Sequence, residues 1–436
     1  MIKSYKMGFK NLDGIFDLVF KTSNYRNVLI LFVFMSIFSC KTVQITNNQK
    51  MVIKKNTKSK LLKPKTIVVN NSANLNFSLG ADNFDGFSKI ISSKNVGIVT
   101  NQAGNRSDSL HLVDFLISKN VKVTKIFAPE HGFRGTGDAG EIIVDGKDAK
   151  TGLPIFSLYG DNKKPKAEQL SDLDFLIFDL QDVGARFYTY ISTLHYVMEA
   201  CAENNISLII LDRPNPNISI VDGPILEHEF KSFVGMHPIP VLHGMTIGEY
   251  AQMINGEKWL KSSIQCNLQV IACSAYSREM SYSLPVKPSP NLPNDQSINL
   301  YASLCFFEGT NVSVGRGTEK QFQIYGSPYL PNIDFCFTPQ PNLGAKNPIY
   351  NGVECFGADL TFIPKLDRLE LKWLIKAYNE TQDKSRFFNA FFTKLAGTKK
   401  LQQQIESGMT SSEIRASWET GLIEFKAMRT KYLIYN

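Results

Sequence analysis

The sequence predicts an α/β protein, a Rossmann-like parallel-sheet domain followed by a smaller α+β domain. Two observations predict the first part. Short apolar runs alternate with stretches of helical spacing, and three of those runs end in a carboxylate with an arginine close behind. The third observation predicts the second part. Beyond about residue 275, Pro285, Pro288, Pro290 and Pro293 interrupt the chain, and glycine-bearing loops and late helical patterns follow.

The elements follow in order. Residues 28–38 are an eleven-residue apolar run behind Lys21 and Arg26, ending at Ser39-Cys40-Lys41. That run is short for a bilayer span but suits a signal-peptide core. A small residue before Cys resembles a bacterial lipoprotein signal, with Cys40 as the lipidated N-terminus of the mature chain; an uncleaved anchor is the other reading. Residues 40–83 are rich in Lys, Asn, Ser and Thr with little periodicity, and read as a flexible basic tether. Residues 96–100 read as a buried strand. Residues 109–119 have helical spacing, with Ser107 or Asp108 as cap. Strands at 121–127, 173–180 and 207–211, a helix at 190–204 and a strand at 268–273 continue the alternation. A further helix begins at Ile247, with Thr246 as N-cap and Glu249 three residues on. The first domain is therefore set at 84–275 and the second at 276–436, with late helices near 369–378, 385–395 and 411–428.

The chain has a formal charge of +8. The excess lies in the leader and tether: from Asp82 onward there are 35 basic and 38 acidic residues. That distribution argues against a nucleic-acid partner and for a solvated linker or one lying near an anionic membrane surface. Apart from Cys40, six cysteines show no CxxC pair and no zinc spacing, so no metal is expected. The GxGxxG at residues 135–140 neither directly follows a strand run nor opens a helical pattern, which disfavours a dinucleotide, and no cofactor is expected. No strand-borne GxSxG and no HExxH is present, which disfavours a serine hydrolase or zincin.

The chemistry concentrates at strand ends. Ala128-Pro129-Glu130-His131-Gly132-Phe133-Arg134-Gly135 follows one run, Asp179-Leu180-Gln181-Asp182 with Arg186 a second, and Asp212-Arg213-Pro214-Asn215 a third. In a parallel sheet such endings share one rim, where ligands bind. Paired carboxylates suit acid/base work, and guanidinium groups suit an anionic, hydroxylated partner. Glu130, Asp182 and His131 are the catalytic candidates. Arg134, Asp179, Arg186, Tyr188, Tyr190, Asp212, Arg213, Asn215, His243, Asn291, Asn311 and Arg316 are the substrate-binding candidates. Several also have plain structural readings: Asp212-Arg213 as a loop-closing ion pair, Asp179 as an orienter of Arg186, His131, His237 and His243 as loop residues.

Six ordered motifs carry a resemblance. They are Ala128 to Gly135, Asp179 to Tyr190, Leu211 to Pro216, His243 to Glu249, Ser289-Pro290-Asn291, and Glu308 to Asn311 with Gly315 to Thr318. Together they resemble the NamZ exo-β-N-acetylmuramidases. The resemblance implies release of terminal β-linked N-acetylmuramic acid from peptidoglycan fragments, in a cleft between a Rossmann-like and a C-terminal domain. It implies Glu130 as the catalytic glutamate. The second group stays open among Asp182, Asp179, a tyrosine and the substrate acetamido oxygen. A muropeptide-binding lipoprotein without catalysis, and an esterase or amidase on muropeptides, are the competing classes. The leader predicts a lipid-anchored protein of the cell envelope, with the periplasm as the expected side and the membrane face left open.

Overall fold

A computed structural model describes residues 65–67, 76–134, 141, 145–332 and 335–436. The leader with Cys40, most of the tether, and Gly135 of the first motif lie outside the described residues.

Among the described residues eleven strands occur in chain order: β1 Lys65–Ile67, β2 Val96–Thr100, β3 Val123–Ala128, β4 Gly146–Lys147, β5 Pro154–Ser157, β6 Phe175–Asp179, β7 Ser207–Leu211, β8 Leu268–Ile271, β9 Ile324–Ser327, β10 Cys336–Phe337 and β11 Cys355–Asp359. The first eight form one sheet in the order β1-β8-β7-β6-β2-β3-β5-β4, parallel except for β4 against β5. The six central strands have the doubly wound order 3-2-1-4-5-6, so chain direction across the sheet reverses between β2 and β6. The last three form a small antiparallel sheet, β10-β11-β9.

The strands are buried on both faces, which is why they read as continuous apolar runs. In β7, Leu208 and Ile210 enter one core while Ile209 and Leu211 enter the other. The larger core holds the helices Tyr190–Glu203 and Ile247–Gly256 and runs without a break into the C-terminal region, through Phe306, Leu374 and Phe425. The smaller core lies under the helix Leu112–Ser118.

Some elements differ from the expectations. The helix Leu112–Ser118 is capped by His111, whose ring nitrogen accepts from Val113 N–H, and not by Ser107 or Asp108. Ser107 hydrogen-bonds Asp82 instead, and Asp108 accepts from Arg106 and Leu110 N–H. Within the region read as tether, Lys65–Ile67 adds an edge strand to β8 and Leu79 is buried in the smaller core. The helix Asp295–Leu304, hidden in the sequence by the prolines before it, starts at Asn294, whose side chain caps Ser297 N–H. The expected helix near 385–395 resolves into a tight turn, Lys384–Arg386, and a short helix, Phe392–Ala396.

Candidate active site

β3 ends at Ala128 because Pro129 has no N–H to continue the ladder. The chain then turns sharply, with Gly132 N–H bonded to the Pro129 carbonyl. His131 sits in the left-handed region at φ +72° and Gly132 at +75°. Glycine takes that geometry at no steric cost and histidine more readily than a β-branched residue would, so the sharp turn beside Glu130 is accommodated. Glu130 itself is half-buried and faces a cleft of about 770 Å³. Thr189, at the start of the helix Tyr190–Glu203 that follows β6, donates its hydroxyl to Glu130 Oε2 at 2.7 Å. Tyr159 hydrogen-bonds the same carboxylate; its own pKa is raised by burial first and then by the Glu130 charge. Glu130 is thus held by segments that follow two other strands, β5 and β6, in the crevice where the sheet order reverses.

The cleft walls are aromatic, with Phe187, Tyr188, Tyr190, Phe233, Tyr301 and Phe307 among them. Tyr188 and Tyr190 pack edge to face at 4.8 Å. Asn101, after β2, donates to the Tyr190 hydroxyl at 2.7 Å, and Tyr188 donates to the Pro288 carbonyl at 2.7 Å. Rings pinned in this way give a firm apolar face beside Glu130. Burial, followed by the Glu130 charge, pushes the Tyr190 pKa up, so this hydroxyl stays protonated.

The far wall comes from the C-terminal region. Glu308 and Arg316 line the cleft as a pair, with Arg316 Nε donating to Glu308 Oε1 at 2.6 Å. Cys305 donates to the other Glu308 oxygen at 3.5 Å. Arg316 Nη1 is buried and bonds no described residue, leaving a directed cationic donor at the wall. Glu141 and Lys346, paired at 2.7 Å, complete the charged lining. Glu308 belongs to a motif noted in the sequence but was not singled out. Its signal was the pairing with Arg316, eight residues on, which only folding brings together.

The site candidates separate into two groups. Glu130, His131, Tyr188, Tyr190, Asn291 and Arg316 line the cleft. The others hold the scaffold. Asp179 and Arg213 form a bidentate pair at 2.6 and 2.9 Å, both nearly devoid of exposure. Asp179 therefore orients Arg213 and not Arg186. Arg186 is wholly buried and donates to the carbonyls of Pro224, Ile239, Leu395 and Ala396. Asp212 accepts from Thr246, Tyr435 and Gly248 N–H; a Cβ on Gly248 would press on that carboxylate. Asn215 braces Met245 and Asn217, under Gly184, whose φ of +79° and closeness to the Asn215 amide leave no room for a side chain. Asp182 accepts from Gly184 N–H at 2.7 Å and faces His243 at 3.4 Å, both buried off the cleft. Arg134 pairs with Asp148 at 2.7 Å and lies over the Phe133 ring. Asn311 lines a different recess. Burial explains the Asp179–Arg213 placement: an ionised group at a strand end is tolerated there because it is paired.

Among the described residues no group of three or more His, Cys, Asp or Glu could hold a metal ion. No described helix is long and apolar enough to cross a membrane.

Family models describe two consecutive parts of the chain: the N-terminal part of the exo-β-N-acetylmuramidase NamZ over residues 96–296, and its C-terminal part over 299–435. The chain is 40% identical over 380 residues to the peptidoglycan β-N-acetylmuramidase NamZ of Bacillus subtilis (strain 168), covering 80% of this chain and 89% of that protein. Two crystal structures of DUF1343 family proteins from Bacteroides fragilis are similar. One is 43% identical with a TM-score of 0.77, covering 83% of this chain and 99% of that one; the other is 28% identical with a TM-score of 0.70, covering 84% and 100%.

Proposed function

We infer that this chain, which belongs to the NamZ exo-β-N-acetylmuramidase family, is an exo-acting glycosidase that releases terminal β-linked N-acetylmuramic acid from peptidoglycan fragments, in cell-wall turnover or recycling. One observation carries the reading. The family match runs the length of the folded chain, and the cleft it encloses presents a glutamate, Glu130, held by two hydroxyls between aromatic walls.

Glycoside cleavage needs one carboxylic acid at the leaving oxygen and a second group at the ring carbon or its water. We assign the acid to Glu130. Thr189 and Tyr159 fix its orientation, so the proton is offered along one line. For the second group, neither Asp179 nor Asp182 lines the cleft: Asp179 is paired with Arg213, and Asp182 is buried with one oxygen accepting from Gly184 N–H. Glu308 lines the cleft on the wall supplied by the other part of the chain, so it takes that role in place of Asp182. Arg316, with Nη1 still undirected to any described residue, receives the lactyl carboxylate that marks N-acetylmuramic acid. Tyr188 and Tyr190 offer faces to the sugar ring, and Asn291 an amide to the acetamido group. His131 shapes the turn that carries Glu130.

The remaining elements of the reading are the anchor and its setting. Cys40 is lipidated after removal of residues 1–39, the basic segment that follows links anchor to fold, and the enzyme works in the cell envelope on the periplasmic side. The division near residue 275 separates the sheet domain from the part that completes the cleft. Support for these comes from the sequence pattern. Incorporation of labelled palmitate into the intact chain, and its loss in Cys40→Ser, checks the anchor.

The activity is tested with a chromogenic β-muramide. Glu130→Gln should lower turnover about a thousandfold, in the range typical of a lost general acid, while circular dichroism and melting stay unchanged. Turnover within about twofold of the parent would sink the assignment.

A further inference from the structure

Behind the cleft wall lies a second recess of about 430 Å³, in the size range of roughly 300–1,000 Å³ that small-molecule sites occupy. The two cavities share one wall. Thr310 and Val312 line the cleft while Asn311 between them lines the recess; Pro348 and Ile349 line the cleft while Tyr350 lines the recess. The Tyr350 hydroxyl donates to the Asn311 carbonyl at 2.8 Å and ties the two segments together.

The groups this recess presents are specific. Tyr329 is 53% exposed, a large ring left in solvent between Pro328 and Leu330, with Tyr350 edge-on at 6.1 Å. The Asn311 side-chain oxygen is buried and accepts from no described residue, and a buried acceptor calls for a donor. The exposed Arg386 guanidinium pairs with no described residue. The acids of the recess are already engaged. Asp383 accepts from Ser385 N–H and its hydroxyl, and Glu380 faces Lys376 one turn away. What remains for a ligand is an aromatic face, a hydrogen-bond acceptor and one cation.

We propose that this recess is a second, non-catalytic binding site for an acidic amino sugar, in which Tyr329 stacks on the ring, Asn311 accepts a hydroxyl or amide N–H, and Arg386 pairs with a carboxylate. The choice of sugar rests on the activity inferred above. An acidic amino sugar unites the three features the recess asks for: a flat apolar face, donors and one carboxylate.

The probe is N-acetylmuramic acid, titrated into the full chain with bound equivalents counted by equilibrium dialysis. The parent should bind two equivalents at saturation, Tyr329→Ala and Arg386→Ala one each, and Tyr329→Phe two. Both alanine variants should turn over the chromogenic muramide within about twofold of the parent, since neither residue lines the cleft. N-Acetylglucosamine, which lacks the carboxylate, should fill the second site about tenfold more weakly. A single equivalent in the parent, or two persisting in both alanine variants, overturns the site. Absence of muramide turnover by the parent would instead refute the activity, and the count of equivalents would still decide the recess.

Discussion

At the scale of single residues, charged groups in this protein divide by whether a carboxylate or carbonyl closes on them. Asp179 and Arg213 illustrate the closed kind. Removing one partner leaves an uncompensated buried charge, which costs about 3–5 kcal/mol. Asp179→Ala should therefore lower the urea unfolding free energy by about that amount, while the double change Asp179→Leu with Arg213→Met should recover most of it. Glu308 illustrates the open kind. Its partner Arg316 keeps a further donor at the cleft wall, so the pair is built for a third participant. Glu308→Gln should reduce muramide turnover about a hundredfold or more with unchanged melting, whereas Cys305→Ala should change it by less than about threefold. A small effect of Glu308→Gln would return the second role to the substrate acetamido oxygen.

At the scale of elements, the helix Ile247–Gly256 shows how local code and site scaffold are joined. Thr246 caps it, accepting from Glu249 N–H at 3.2 Å, and its hydroxyl also donates to Asp212 at 2.7 Å. A lost cap alone costs about 1 kcal/mol, and here a buried carboxylate loses a donor as well. Thr246→Ala should cost about 2 kcal/mol by chemical denaturation, and Thr246→Ser should restore most of it. This cap was legible in the sequence, because the capping box is written in four adjacent residues. So were β2, β6 and β7, whose apolar runs are short, continuous and bounded. The two-residue β4 and the three-residue β1 were not legible. Each is too short to show a period, and each exists only because a neighbouring edge accepts it. The His111 cap escaped for a similar reason, since Ser107 and Asp108 offered better local chemistry and were taken by Asp82 and Arg106.

At the scale of the molecule, buried titrating groups set how stability responds to pH. Burial pushes His195 down to about 4, and burial with the neighbouring His195 holds His237 well below its usual value; the two rings share a hydrogen bond at 2.9 Å. Both must take up protons on unfolding, so their contribution is complete above about pH 6.5 and is lost as pH falls below it. Asp212 acts in the opposite sense. Burial raises it to about 6, against the hydrogen bonds it accepts, so the folded chain keeps its proton more readily than the unfolded chain. Two groups oppose one, and the net of these three is a loss of stability on acidification from about pH 6.5 to 4.5, worth about 1.4 kcal/mol per pH unit for one net proton. The urea midpoint should fall over that interval, and His237→Gln should flatten the slope. A midpoint that rises on acidification would contradict the assignment. The sequence by itself determined the central strands, the rim they share and the acid that follows β3, because strand runs, a chain-breaking proline and an adjacent acid are all local. It did not determine which arginines face the ligand. Arg186, Arg213 and Arg316 look alike in sequence, each within two residues of a glycine, a proline or an acid. Only the tertiary structure separates them, because an arginine's role depends on what surrounds it. Arg186 meets four carbonyls from segments up to 210 residues away and Arg213 meets a buried aspartate, and neither lines the cleft. Arg316, paired once at the cleft wall, does.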